Sequence, residues 1–578
     1  MNMKKLSPRV FVSEQITTTD IGIASAQGIK TIINNRPDNE AQGQPKTADL
    51  AAAAAKLGMA FIDLPVVAGK VTDEHIEQFE NMYGELQAPV LMFCRTGTRS
   101  ASLWALEEAR TLDVDAVLAA AAEAGYNLSA MRSRLVSRSA TAAPSARDPA
   151  QQDVSGDRHD VVIVGGGTAG LATASSMLKR KPDLDILVIE PRETHYYQPG
   201  WTLVGAGIFD RKQTSRTMAS VMPKGVKWKH AAVAGFKPEN NSVILEDGER
   251  IEYRVLVAAP GLKLDWDAVE GLGDTLGKSG VTSNYLFDMA PYTWDLVQEL
   301  NEGRAVFTQP PMPIKCAGAP QKAMYLSCDH WLTKGKLKDI TIDFRNAGGV
   351  LFGVADYVPA LSKYVDKYGI NLCLNENLVA VDGPARKAWF DRTDGEGNTS
   401  RIEVEFDMLH VCPLQTAPDF IRQSPLANDA GWVDVSAETL QHSKFGNIFG
   451  VGDVCSAPNA KTAAAVRKQA PVVAENAIKV LSGNAPHAVY DGYGSCPLTV
   501  ERGKIVLAEF GYGGKHLPSF PQWLINSYEP SRLAWLLKEK MLPGIYWNLL
   551  LKGKEWLVDT ELLPQVPVSR EHKEAVDS

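Results

Sequence analysis

Residues 159–180 read HDVVIVGGGTAGLATASSMLKR: the apolar run VVIV stops at three consecutive glycines, and a stretch with helical spacing follows. Gly165, Gly167 and Gly170 stand in GxGxxG spacing. The first glycine permits a tight turn, the second a close approach of a pyrophosphate to the backbone, and the third close packing of helix on strand. The helix N-terminus then faces the phosphates. A second apolar run, LDILVIE at 184–190, ends in Glu190, an acid placed to accept the ribose hydroxyls of an adenosine without a 2′-phosphate. Strand, loop, helix, strand and acid together specify a dinucleotide-binding βαβ unit.

Working outward, VAAPG at 257–261 supplies a connecting segment, and FGNIFGVGDVCSAP at 445–458 ends a strand at Gly452 and Asp453. That pattern resembles FAD-dependent disulfide-reductase relatives, in which it holds the ribityl chain, so FAD is the expected cofactor. Lys461 and Thr462 open the helix KTAAAVRKQA, whose N-terminal dipole favours negative charge on a reduced flavin.

Upstream, residues 138–158 are rich in Ser, Ala, Pro and Asp, with almost nothing large to bury, and read as a flexible linker. Before it, strand and helix patterns alternate from GIKTIINNRP at 28–37 to APVLMFC at 88–94, which predicts a parallel sheet. The expected organisation is α/β throughout. Residues 1–137 form a parallel-sheet domain, 159–494 a tandem dinucleotide-fold flavoprotein, and 495–578 a C-terminal interfacial region.

Two cysteines stand in reactive settings. Cys94 ends a strand in FCRTGTRS, with a glycine loop and a new helix directly behind it. Backbone N–H groups and a helix dipole then point at the sulfur, which favours the thiolate and draws anions. Arg95 and Arg99 add positive charge, while Asp63, before Leu-Pro, reads as a turn or cap residue. With INNRPDNE and DLPVVAGKVTDEHIEQF, this stretch resembles the protein-tyrosine-phosphatase-like domains described as beta-lactamase-hydrolase-like. A phosphatase has five residues between Cys and Arg; here only Arg95, Thr96, Gly97 and Thr98 intervene, as in a rhodanese-type loop. A tighter ring of amides suits a persulfide sulfur, so the expectation is sulfur transfer at Cys94 with Arg99 binding an anionic donor.

Cys316 lies in PIKCAGAPQKAMYLS. Together with HYYQPGWTLVGAG, TSNYLFDMAPYTW, GWVDVSAETLQH, KTAAAV, YDGYGSCPL and LPGIYWNLLLKG, this segment resembles the sulfide:quinone oxidoreductases of mitochondrial type over residues 159–556. The resemblance implies sulfide and quinone as substrates, FAD as cofactor, a small thiol such as glutathione as sulfur acceptor, and a cysteine pair beside the flavin, with Cys316 one member. The family pattern puts the second cysteine directly after Gly-Asp. This chain has Val454 there and Cys455 one residue on. Neighbouring side chains on an extended segment point in opposite directions, so Cys455 and Cys412 both stand as candidate partners.

The C-terminal stretch INSYEPSRLAWLLKEKMLPGIYWNLLLKGKEWL mixes Trp, Tyr and Leu with Lys and Arg and is too interrupted to span a bilayer. Such segments lie in the membrane interface. Removing it from Arg532 onward is expected to release the protein from membranes with the flavin still bound. The alternative is a domain-packing surface.

The chain has 578 residues, net charge −8 and no basic block, which argues against nucleic acid as a partner. Seven scattered cysteines suggest neither a disulfide scaffold nor a CxxC metal pair, and His195, His330 and His410 lack ligand spacing, so no metal is expected. These features predict a cytoplasmic protein, peripheral on the inner face of the plasma membrane. The competing reading is an NADH:quinone oxidoreductase-like flavoenzyme fused to a phosphatase-like or non-catalytic ligand-sensing domain. It requires a second GxGxxG, which FRNAGGVLFGV around Gly348 does not supply.

Overall fold

The computed structural model describes residues 3–141 and 157–562, apart from residues 8, 42, 68–70, 84–85, 111–113, 129–130, 459, 556 and 559. The chain divides into two compact units, Met1–Val154 with Glu246–Glu249, and Ser155–Leu245 with Arg250–Ser578. Helix Arg132–Thr141 covers the first residues of the expected linker, whose residues 142–156 lie outside the described residues.

The first unit is built on a five-stranded sheet of β1 (Lys4–Lys5), β2 (Val10–Ser13), β3 (Thr31–Asn34), β4 (Ala60–Asp63) and β5 (Val90–Phe93), in the order β1-β2-β5-β3-β4. Only the β1 pairing is antiparallel. Strand β5, VLMF, is buried along its whole length, as a central parallel strand covered on both faces must be. It delivers the chain at Cys94 to helix α1 (Thr98–Glu108).

The second unit opens with β6 (Asp157–Val164), α2 (Thr168–Arg180) and β7 (Ile186–Ile189). With β8 (Lys227–Lys229), β9 (Val233–Lys237), β10 (Ser242–Leu245) and β11 (Arg250–Ala258), they form a sheet ordered β8-β7-β6-β11-β10-β9. A late strand, Ile448–Gly450, returns to pair parallel with β11 and so carries Gly452 back to the glycine loop.

A second sheet, wholly parallel, is ordered β12-β16-β13-β14-β15 from β12 (Val281–Thr282), β13 (Gly303–Gln309), β14 (Ile340–Asn346), β15 (Asn371–Leu374) and β16 (Met408–His410). Between β13 and helix α3 (Ala319–Thr333) runs the loop that carries Cys316. A hairpin of β17 (Gly494–Glu501) and β18 (Lys504–Phe510) places Cys496, Leu498 and Val506 in one core with Tyr325 and Cys328 of α3. The expected boundary at residue 494 therefore cuts through what the structure makes one folded unit. The chain continues through α4 (Arg532–Leu536), a π-helical turn at Leu537–Met541 and α5 (Leu542–Asn548). No helix among the described residues is long and apolar enough to cross a membrane.

Candidate active site

The glycine loop has the geometry its sequence calls for. Gly165 adopts φ +106°, and a Cβ there would lie 2.4 Å from the Ala259 carbonyl oxygen; a Cβ on Gly170 would lie 1.9 Å from the oxygen of Gly165. A Cβ on Gly167, which precedes α2, would meet nothing within 4 Å. The Glu190 carboxylate accepts from the backbone N–H of Gly166 at 2.8 Å and of Arg192 at 2.9 Å, so it stands beside the loop. Gly452, at φ +78°, packs where a Cβ would come within 2.7 Å of Ala169 Cβ. The two motifs, far apart in sequence, thus meet at the N-terminus of α2. Asp453 follows, half-buried, and none of the described residues donates a hydrogen bond to its carboxylate; burial pushes that carboxyl up, opposed by Lys315 and Lys461. An acceptor without a protein donor, beside a cradle that excludes a Cβ at Gly165, Gly170 and Gly452, fits FAD. Thr462 caps the helix Ala463–Leu481 by accepting from Ala465 N–H at 3.1 Å. The Lys461 ammonium is spent on the carbonyls of Asp453 (2.7 Å) and Cys455 (2.9 Å) and lies over the Trp432 ring.

The Cys316 loop docks on this region: Cys316 N–H donates to the Lys461 carbonyl at 2.9 Å. Cys316 itself sits at φ +52°, a strained conformation for a residue with a Cβ. Its Sγ lies 3.9 Å from Cys496 Sγ, and the Lys322 Nζ donates to it at 3.0 Å. Lys322, in the first turn of α3, is only 2% exposed. Gly318 makes the approach possible, because a Cβ there would be 2.5 Å from Cys496 Sγ. The hydrogen bond from Cys496 and the Lys322 charge hold Cys316 well below the ordinary thiol range, against burial. Cys496, donor in that bond and buried, is pushed up. A second ammonium, Lys538 from the π-helical turn, is 3% exposed, donates to the Pro199 carbonyl at 3.0 Å, and is pushed down to about 8 by burial and by Lys322.

Cys496 was not among the expected partners, and neither expected one has its sulfur on Cys316. Gly452–Val454 forms a 3₁₀ turn, after which Cys455 resumes extended backbone. Its thiol donates back to the Gly452 carbonyl at 3.1 Å inside the first sheet's core, where burial pushes it up. Cys412 packs in a small cluster with Tyr285 and Ile314 that also touches Cys316, but its sulfur is engaged by Gln415 Nε2 at 3.8 Å, and burial raises it to about 12. The one sign in the sequence was Cys496 itself, inside YDGYGSCPL on an alternating strand.

In the first unit, Cys94 is fully buried, and Gly97 N–H donates to its sulfur at 3.1 Å. Gly97 caps α1 at φ +87°, and a Cβ there would strike the Tyr126 hydroxyl. Arg99 is paired two-pronged with Glu40 at 2.6 and 2.8 Å and donates to the Val66 carbonyl. Burial opposes the Arg99 charge, yet Glu40 and Cys94 raise its pKa on balance. Arg36 holds the same Glu40 at 2.8 Å. Asp63, at the end of β4, accepts from Asn34 Nδ2 at 2.8 Å.

This geometry can be set beside known proteins. Residues 159–285 match the pyridine nucleotide-disulphide oxidoreductase family, and residues 2–111 the phosphatase-like domain of beta-lactamase hydrolase-like proteins. The mitochondrial sulfide:quinone oxidoreductase of Dictyostelium discoideum is 42% identical over 398 residues, 68% of this chain and 86% of that protein. The chain belongs to the sulfide:quinone oxidoreductase family. The solved sulfide:quinone oxidoreductase of Aquifex aeolicus shares the fold, with TM-score 0.57 at 22% identity over 68% of this chain and 92% of that one. For the first unit, the beta-lactamase hydrolase-like protein of Agrobacterium fabrum is 36% identical over 109 residues, 19% of this chain but only 25% of that protein. The chain therefore joins a phosphatase-like domain to a region of the sulfide:quinone oxidoreductase family. The expected cytoplasmic, plasma-membrane placement is overturned by the family members matched from Dictyostelium discoideum, Mus musculus and Schizosaccharomyces pombe, which are named as mitochondrial proteins.

Proposed function

We propose that the second unit oxidises sulfide at the Cys316 and Cys496 pair, delivers the electrons through FAD to quinone, and passes the sulfane sulfur through a small thiol to Cys94. The pair of sulfurs 3.9 Å apart beneath Lys322, in a chain of this family, carries the first half. In the oxidised enzyme the two sulfurs are joined. Hydrosulfide attacks Cys496, a new S–S bond forms there, and the bond to Cys316 breaks with its electron pair on Cys316. The better leaving group is the sulfur whose thiolate is more stable, and the Lys322 ammonium stabilises Cys316. Lys322 and Lys538 supply the positive field that draws the anion in. A thiolate acceptor such as glutathione removes the outer sulfur from Cys496, and the two cysteine thiolates rejoin, releasing two electrons. The glycine loop, Glu190, Gly452 and Asp453 would hold FAD, which when bound would supply the two-electron acceptor between the cysteine pair and quinone. The sum, H₂S + RSH + quinone → RSSH + quinol, balances.

The competing NADH reading loses ground on topology. In a tandem dinucleotide fold, the second nucleotide would occupy the loop that joins a strand of the second sheet directly to its following helix, which here is the loop between β13 and α3. After β13 that loop is PPMPIKCAGAP, and Gly348 and Gly349 follow a different strand, β14. Quinone is collected at a membrane surface, a reading supported by exposed Leu533, Leu536 and Met541 in and before the π-helical turn and by exposed Trp523 (85%) upstream.

Sulfur transfer at Cys94 rests on the four-residue loop and the Gly97 amide on the sulfur. Anaerobic sulfide titration of the full chain, following flavin bleaching and decylubiquinone reduction, tests the first half; bleaching by NADH in its place refutes it. Cys94→Ser tests the second: quinone reduction should persist while transfer from thiosulfate or glutathione persulfide is lost. Efficient aryl-phosphate hydrolysis without sulfur transfer would establish the phosphatase alternative.

A further inference from the structure

The C-terminal chain beyond the π-helical turn lies along α2, the helix whose N-terminus begins at the glycine loop. At the near end, His195 Nδ1 is 3.0 Å from the Gly166 carbonyl oxygen, and His195 Nε2 is 2.6 Å from the Tyr546 hydroxyl. A carbonyl only accepts, so Nδ1 carries the proton. The imidazole is neutral, since burial lowers it to about 4. Nε2 is then a bare acceptor, and the Tyr546 O–H donates to it. With its one proton committed, the Tyr546 oxygen accepts from Thr168 Oγ1 at 2.8 Å. Tyr546 thus reaches both sides of the loop, Gly166 through His195 and Thr168 directly. The rings of Tyr197 and Trp547 pack around it.

Further along, Ser175 Oγ donates to the Leu551 carbonyl at 2.7 Å, and Ser176 Oγ donates to Glu555 Oε1 at 2.7 Å. Arg180 and Lys179 pair with the same Glu555. Gly553 permits the contact, at φ +64°, where a Cβ would lie 2.6 Å from the Ser175 oxygen. The helix is fastened from its first residue to its last.

We propose that residues 546–555 are a working part of the cofactor site, with Tyr546 and His195 as positioning residues for the glycine loop, so that FAD retention depends on this strap. The proposal builds on FAD as cofactor. It reverses the expectation that removal from Arg532 onward leaves the flavin in place.

The test is Tyr546→Phe in the full chain, which keeps the ring and removes the hydroxyl. FAD binding to the flavin-stripped protein, read by flavin fluorescence, should weaken about tenfold, a change of about 1.4 kcal/mol. The stripped variant should melt close to stripped wild type, while the rise in melting temperature on adding FAD shrinks. Glu555→Gln, which loosens only the far end, should weaken binding in the same direction by less. Unchanged FAD affinity in both variants, or equal losses of melting temperature with and without FAD, overturns the proposal. Failure of wild type to bind FAD would instead overturn the cofactor assignment.

Discussion

Replacing Lys322 by methionine keeps most of its buried bulk and removes one positive charge from the Cys316 sulfur. The Nζ lies 3.0 Å from Sγ and the lysine is almost wholly excluded from water, so the contact is a buried, charge-assisted hydrogen bond. Such a bond contributes about 1.5–3 kcal/mol. At 1.36 kcal/mol per pH unit, its loss should raise the Cys316 titration midpoint by about one to two pH units. The hydrogen bond from Cys496 survives the substitution and Lys538 remains nearby, which keeps the change from being larger. The sign is definite: wild-type Cys316 is a thiolate over a pH range in which the variant carries a proton. Iodoacetamide alkylation of the reduced, full-length enzyme across pH, with the Cys316 peptide quantified by mass spectrometry, reads the midpoint. Sulfide turnover should fall most steeply on the acid side of the new midpoint. A midpoint that stays put refutes the assignment of Lys322 as the group that holds the charge.

Cys496→Ser should abolish sulfide-driven flavin bleaching while Cys455→Ser largely preserves it, because only Cys496 presents its sulfur to Cys316. Peptide mapping of the oxidised protein should find a link between Cys316 and Cys496; a link from Cys316 to Cys455 or Cys412 would reverse this. Gly170→Ala places a methyl 1.9 Å from the Gly165 carbonyl oxygen, backbone against backbone, so the purified variant should be colourless, a result that absorbance at 450 nm checks. Arg99→Ala removes the cation beside Cys94 and should weaken thiosulfate binding by about 1.5–3 kcal/mol, roughly 10- to 150-fold, at unchanged sulfide-dependent quinone reduction.

The glycine fingerprint was legible because its demands are local: positive φ at Gly165 and the close approach at Gly170 are settled within a few residues. Gly452 was legible for the same reason. The redox pair was half legible. Cys316 stands in a distinctive loop, but its partner is 180 residues away and is brought there by the hairpin packing on α3. Reading residues from 495 onward as an interfacial region set Cys496 apart from the fold that uses it. Cys455 misled through adjacency to Gly-Asp; a single 3₁₀ turn sends its sulfur into the first sheet's core. Arg99 was read as positive charge beside Cys94 for an anionic donor, yet nothing local could show that Glu40, 59 residues upstream, already holds it.

The second sheet explains how one architecture can bind FAD once and sulfide chemistry once. A strand, a loop and a helix N-terminus form an anion site wherever they occur. After β6 the loop is glycine, which lets backbone N–H groups reach a pyrophosphate. After β13 the same arrangement carries Cys316, with Gly318 admitting Cys496 and Lys322 rising from the first turn of α3. The helix N-terminus then lies next to a thiolate in place of a phosphate, and the lysine completes the charge. Cys316 occupies that loop, held at φ +52° with its backbone N–H donating to the Lys461 carbonyl. One strand–loop–helix position thus holds a sulfur site where the other holds the dinucleotide loop, and Cys316→Gly should abolish sulfide-driven flavin bleaching while absorbance at 450 nm still finds FAD bound.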